Sequence, residues 1–134
     1  MKILLAVAYL MASVYAETLT PEELSKFKKI REQCMQETAV DPALVKKMQQ
    51  HQFDEKLKDF LFCTYKRLGY QNEAGEIQGE NVKALIARKF NKELADQAEM
   101  LCFKMKNTPQ DTALAVSKCL CEHAPKDANF DDLF

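Results

Sequence analysis

Five cysteines constrain this chain more than any other feature: Cys34, Cys63, Cys102, Cys119 and Cys121, spread over sequence that reads as helix. All of them lie beyond what reads as a removable leader. Lys2 supplies its positive end, Ile3 to Val14 an apolar run, and Val14-Tyr15-Ala16 puts small residues where a signal peptidase needs them. The run is shorter than the about 20 apolar residues that span a bilayer. Residues 1–16 are therefore expected to be a signal peptide rather than an anchor or an ordered first helix, with the mature domain over 17–134. Export brings the chain to an oxidising compartment, where paired cysteines become disulfides. An odd count allows at most two bridges and leaves one sulfur over. Bridges between helices distant in sequence hold a small shell together around an open apolar interior. That points to a carrier rather than a catalyst.

Beyond the leader lies one domain's worth of sequence, with no second long apolar stretch. The 19 basic and 20 acidic residues nearly cancel, and losing Lys2 tips the balance further toward acid. No concentrated basic patch is present, so nucleic acid is not an expected partner. Lys26-Phe27-Lys28-Lys29 is followed by Arg31-Glu32, the mixed pattern of a solvated helix face. The lack of Trp and the low count of 3 Gly weigh against a β-rich or collagen-like fold.

Helix starts recur along the chain. Thr20-Pro21-Glu22-Glu23 combines a capping threonine, proline at the first helical position and a glutamate placed to bond back. Asp41-Pro42 repeats the signal for a short second helix through about Gln50, and Asp54 can cap a third that Gly69 ends. Asn72-Glu73-Ala74-Gly75 reads as a turn. A fourth helix is expected from near Glu80, a fifth after a break near Asn91, and a sixth from Thr108-Pro109, with Pro125 beyond its end. The apolar stripes are Leu24, Phe27, Ile30, Cys34 and Met35; then Leu57, Phe60, Leu61 and Leu68. Val82, Leu85, Ile86 and Phe90 come next, then Leu94, Ala98, Leu101 and Met105, then Ala113, Val116 and Leu120. Short helices are marginal alone, so stability must come from packing these stripes together. The prediction is an all-α fold: a compact bundle of about six short helices.

Catalytic signatures are missing. His51 and His123 are the only histidines, and neither sits in a motif with a nucleophile, so each reads as a surface histidine. Cys119-Leu120-Cys121-Glu122-His123 invites a metal test. Positions four apart share a helix face, so Cys119 and His123 converge while Cys121 looks away. In an oxidising compartment Cys119 reads as bridged, and no metal or cofactor is expected. Leucine and phenylalanine at helical spacing read first as ordinary core; stripes alone do not separate a filled core from a lined cavity.

The stretch from Leu57 to Ile77 carries Cys63 on a helix, the end Lys66-Arg67-Leu68-Gly69, and the acidic, glycine-containing turn Glu73-Ala74-Gly75-Glu76. It resembles the insect odorant-binding proteins (the pheromone- and general-odorant-binding family), and the order and length of nearly the whole mature chain agree. That family usually has six cysteines. Its spacing puts the second at Asp59 and the fifth at Gln110, the two that bond each other, so this chain resembles the four-cysteine "minus-C" subclass. The resemblance implies bridges Cys34–Cys63 and Cys102–Cys119, with Cys121 as a free thiol outside the pattern.

It also implies a secreted carrier, without catalysis, whose helices enclose an apolar pocket for one odorant, pheromone or fatty-acid-like molecule. On this reading the pocket is lined from the stripes by Phe27, Leu57, Leu61, Leu68, Leu85, Phe90, Leu101, Met105 and Val116, with Tyr65 offering a hydroxyl. The tail from Asp127 to Phe134 is expected over the pocket mouth, with Phe130, Leu133 and Phe134 inward and its aspartates making affinity depend on pH. The setting would be an extracellular fluid such as sensillum lymph or haemolymph, with a membrane receptor as candidate partner and the chain a monomer or weak homodimer. Two rival readings are a saposin-like membrane-active protein and a filled-core interaction module. Saposin-like cysteines cluster at the chain ends, whereas Cys34, Cys63 and Cys102 are spread through the middle.

Overall fold

Capping chemistry sets the helix starts. In the computed structural model, which describes residues 19–125, Thr20 Oγ1 accepts from Glu23 N at 3.1 Å, and Glu23 Oε1 accepts from Thr20 N at 3.2 Å. This reciprocal box opens α1 (Pro21–Thr38), where Pro21 brings no N–H that would need a partner. Asp41 caps α2 (Pro42–Gln49) through a 2.9 Å bond from Ala43 N. Asp54 does not cap an α-helix directly. It opens a tight 3₁₀ turn, Glu55–Leu57, that runs into α3 (Lys58–Leu68). Gly69 ends α3 with φ 81°, a left-handed conformation that glycine adopts without a Cβ clash. The remaining helices are α4 (Gly79–Lys89), α5 (Lys92–Cys102, capped by Asn91) and α6 (Pro109–His123, capped by Thr108). The six expected helices are present among the described residues, five at the expected starts and the third one 3₁₀ turn later. The leader and the tail fall outside the described residues, as do Phe130 and Phe134.

Helix α3 is central: it packs against α1 on one side and α6 on the other, while α4 packs on α5 and α5 on α6. Met48 of α2, Leu57 of the 3₁₀ turn, and Phe60 and Leu61 of α3 are fully buried. The bridges reinforce the same contacts. Cys34–Cys63 ties α1 to α3 and Cys102–Cys119 ties α5 to α6, with Cα separations of 5.8 and 5.5 Å. Each contributes about 3 kcal/mol in the chain-entropy model. No helix among the described residues is long and apolar enough to cross a membrane.

Between α3 and α4 the chain makes a small pinned loop. Gln71 and Ile77 pair as an antiparallel bridge, Asn72 bonds Glu76 through backbone and side chain, and Gln78 N donates to Tyr70 O at 2.8 Å. The expected turn at Asn72–Gly75 is its tip.

Two expected pocket residues lie elsewhere. Leu101 and Met105 are 44% and 52% exposed. The buried line of α5 is Ala95, Ala98 and Cys102, so Leu101 falls about 100° off it. The helix stops at Cys102, which leaves Met105 in the loop beyond it. Leu24 on α1 is also exposed, at the edge of its stripe.

A candidate ligand-binding cavity

Two apolar cavities lie side by side in the bundle. The inner one is walled by Tyr65 from α3, Tyr70, Gln71 and Ile77 from the pinned loop, Val82, Leu85 and Ile86 from α4, and Val116 and Leu120 from α6. The outer one is walled by Ile86, Phe90, Leu94, Ala98 and Leu120, and ends at His123 and Ala124. Ile86 and Leu120 belong to both walls, so these two side chains form the partition. Each cavity has about 20 Å³ for the centre of a water molecule, room for roughly one. The cavities are narrow, and their walls are hydrocarbon almost throughout.

Polar groups in the inner wall are few and mostly paired. The Tyr65 hydroxyl bonds Ser117 Oγ, which in turn donates to Ala113 O at 2.8 Å. Burial raises the Tyr65 hydroxyl's pKa far above a phenol's usual value, so it stays a neutral donor. Burial does the same to Tyr70, whose ring meets that of Tyr65 edge-on at 5.7 Å. Gln71 is buried, and its Nε2 donates to Gly75 O at 2.9 Å and to Pro109 O at 3.2 Å.

Of the residues expected at the pocket, Tyr65, Leu85 and Val116 meet in the inner wall and Phe90 stands in the outer one. Leu57 and Leu61 are buried in the packed core, and Phe27 and Leu68 lie half-buried against it, all four away from the two cavity walls. Tyr70, Gln71 and Ile77 are wall residues that sequence reasoning misses, because they stand in a loop, where helical periodicity carries no signal. Val82, Ile86 and Leu120 belong to the stripes, but only the packing shows that they face the cavity.

Cys121 is unbridged and half-buried, and burial together with Glu122 pushes its thiol up to about 12. At neutral pH it is a thiol, not a reactive thiolate. The ligand atoms of Cys102, Cys119 and His123 lie within 4.8 Å of one another. Cys102 and Cys119 are bonded to each other, which leaves one imidazole and no metal site there.

The model of the PBP/GOBP family matches residues 16–123. The chain belongs to that family. This is a family of binding proteins rather than enzymes, and its members are typically secreted and disulfide-stabilised. Among curated relatives, the B2 protein of the beetle Tenebrio molitor is 32% identical over 128 residues, which is 93% of this chain and 98% of the relative. The B1 protein of the same beetle is 30% identical over 128 residues, 93% of this chain and 97% of the relative. The fold is also that of a fatty acid binding protein, OBP56a, from the oral disk of the blowfly Phormia regina. The TM-score is 0.64 at 21% identity, covering 79% of this chain and 95% of the other.

Proposed function

We propose that this PBP/GOBP protein is a secreted carrier that holds one small hydrophobic molecule, an odorant, pheromone or fatty-acid-like ligand, in the paired cavities between α3, α4 and α6. The observation that carries the reading is the apolar double cavity itself, divided by the side chains of Ile86 and Leu120. The resting space is far below the roughly 300 Å³ of a typical ligand site. Uptake therefore requires the partition to swing aside and the helices to part. Apolar burial supplies the driving force, about 25 cal/mol per Å² removed from water.

The cysteine pattern fits this need for movement. With Asp59 and Gln110 where six-cysteine relatives carry their second and fifth cysteines, α3 and α6 are free of a cross-link, in keeping with the four-cysteine subclass. These two of the helices that wall the inner cavity can then shift against each other, which favours a broad ligand range. Leu85, Phe90, Tyr65 and Val116 are the proposed contacts among the residues expected from sequence. Leu57, Leu61, Phe27 and Leu68 would act as the packed frame behind them. The leader over residues 1–16 and delivery to a membrane receptor belong to the same reading. So does the tail, which begins three residues after Ala124 at the end of the outer cavity.

The test is saturable binding of an aminonaphthalene dye to folded, lipid-stripped protein. One dye per chain, displaced by medium-chain lipophiles, is the expected result by fluorescence and native mass spectrometry. A saposin-like or filled-core protein would take up no stoichiometric ligand.

A further inference from the structure

Gln71, a wall residue of the inner cavity, carries one polar atom that the fold leaves unanswered. Gln71 is 3% exposed and stands in the wall with Tyr65, Tyr70, Val82, Leu85 and Val116. Its Nε2 donates to two backbone carbonyls, Gly75 O and Pro109 O. Carbonyl oxygens only accept, so only the NH₂ end of the amide can sit against them, and the amide's orientation is fixed. Oε1 is thereby turned to the other side, where it is buried with no hydrogen-bond partner among the described residues. Buried side-chain acceptors are nearly always paired, so an unpaired one at a cavity wall calls for a partner from outside the chain.

The rest of the wall determines the chemistry of that partner. Tyr65 is engaged with Ser117, and the remaining lining side chains apart from Tyr70 are aliphatic. Among the described residues, no lysine, arginine or histidine lines the inner cavity. A carboxylate would bring only acceptors and a charge with no counter-ion, and aldehydes, esters and ethers likewise bring acceptors that face Oε1 unfavourably. An alcohol brings one O–H donor on an apolar body.

Resting on the carrier reading above, we propose that the inner cavity selects aliphatic alcohols, with the ligand hydroxyl donating to Gln71 Oε1. The two bonds from Nε2 hold the acceptor in place before the ligand arrives, so its orientation is set in advance by the loop and the start of α6. Chain length is then accommodated toward Ile86 and Leu120.

Displacement of an aminonaphthalene dye at neutral pH by decan-1-ol, decanal and decyl methyl ether tests this on the intact protein. The alcohol is expected to bind roughly tenfold more tightly than either acceptor-only analogue, the size of one buried hydrogen bond made or left unmade. In Gln71→Met the ratio of alcohol to ether affinity should collapse to about one. Loss of the bonds to Gly75 and Pro109 also loosens the loop, but that weakens all three ligands together and leaves their ratio untouched. Equal affinities of alcohol and ether for the natural protein would overturn the alcohol assignment while leaving the carrier standing, whether or not the variant folds. Absence of any dye or lipophile binding would overturn both.

Discussion

Gly75 shows how a single residue holds the cavity wall together. Its φ of +85° lies in the left-handed region, and a Cβ built on it would run into the ring of Pro109. The tip of the pinned loop therefore rests directly on the first turn of α6, and its carbonyl accepts from Gln71. The Gly75→Ala variant meets both a strained backbone and a collision, and should lose about 1–3 kcal/mol of stability in urea unfolding. Because the collision pushes the loop off Pro109, ligand affinity should fall as well. At this scale the sequence was partly legible: glycine marked the turn, but nothing in it showed that the turn touches α6.

Among the elements, the junction of α1 with α4 depends on charge. Arg88 on α4 holds Glu23 on α1 through two bonds, Nη1 to Oε2 at 2.7 Å and Nη2 to Oε1 at 2.9 Å. Arg88, with help from the Thr20 backbone N–H, lowers the Glu23 carboxyl from 4.5 to about 2. A carboxyl held below its unfolded value contributes stability above about 4.5, which is lost as pH falls toward about 2. Glu23→Gln keeps the capping geometry and removes the charge. The stability gap between the two proteins, present at neutral pH, should close between about pH 4.5 and 2 in urea titrations. Both side chains are about a third exposed, at 34% and 33%, so added salt should narrow the gap too. The capping box was legible because it is local. Its second partner lies 65 residues away, beyond what spacing can reveal.

For the whole molecule, the decisive quantity is how freely α3, α4 and α6 move around the cavities. Leu120→Ala removes half of the partition. The enlarged single cavity should take ligands longer by a few carbons, and the lost packing should cost about 1–3 kcal/mol for this half-buried position. Dye displacement across a series of chain lengths, with thermal melts alongside, measures both. The opposite change is to introduce a cross-link between α3 and α6 with Asp59→Cys and Gln110→Cys together. Lys58 and Asp111, next to these two positions, pair at 3.6 Å across the α3–α6 junction. The double variant should form a third bridge, gain up to about 4 kcal/mol, and accept fewer ligands. New thiols that stay free after oxidative refolding would contradict the register.

Capping residues, helix stops and apolar periodicity act within a few residues of themselves, so the sequence alone determined six helices, their starts and the all-α class. The cysteine spacing, read through family resemblance, determined which helices are bridged. Only the tertiary structure decided which apolar residues face empty space and which face each other. Leu61 and Leu85 are equally good stripe residues, yet one is packed core and the other cavity wall. Leu101 belonged to a plausible stripe that the true buried line of α5 passes by. The wall also takes Tyr70, Gln71 and Ile77 from a loop whose position depends on Gly75 meeting Pro109, a contact between segments far apart in the chain. A cavity is a relation among several elements at once, and local sequence constrains each element only singly.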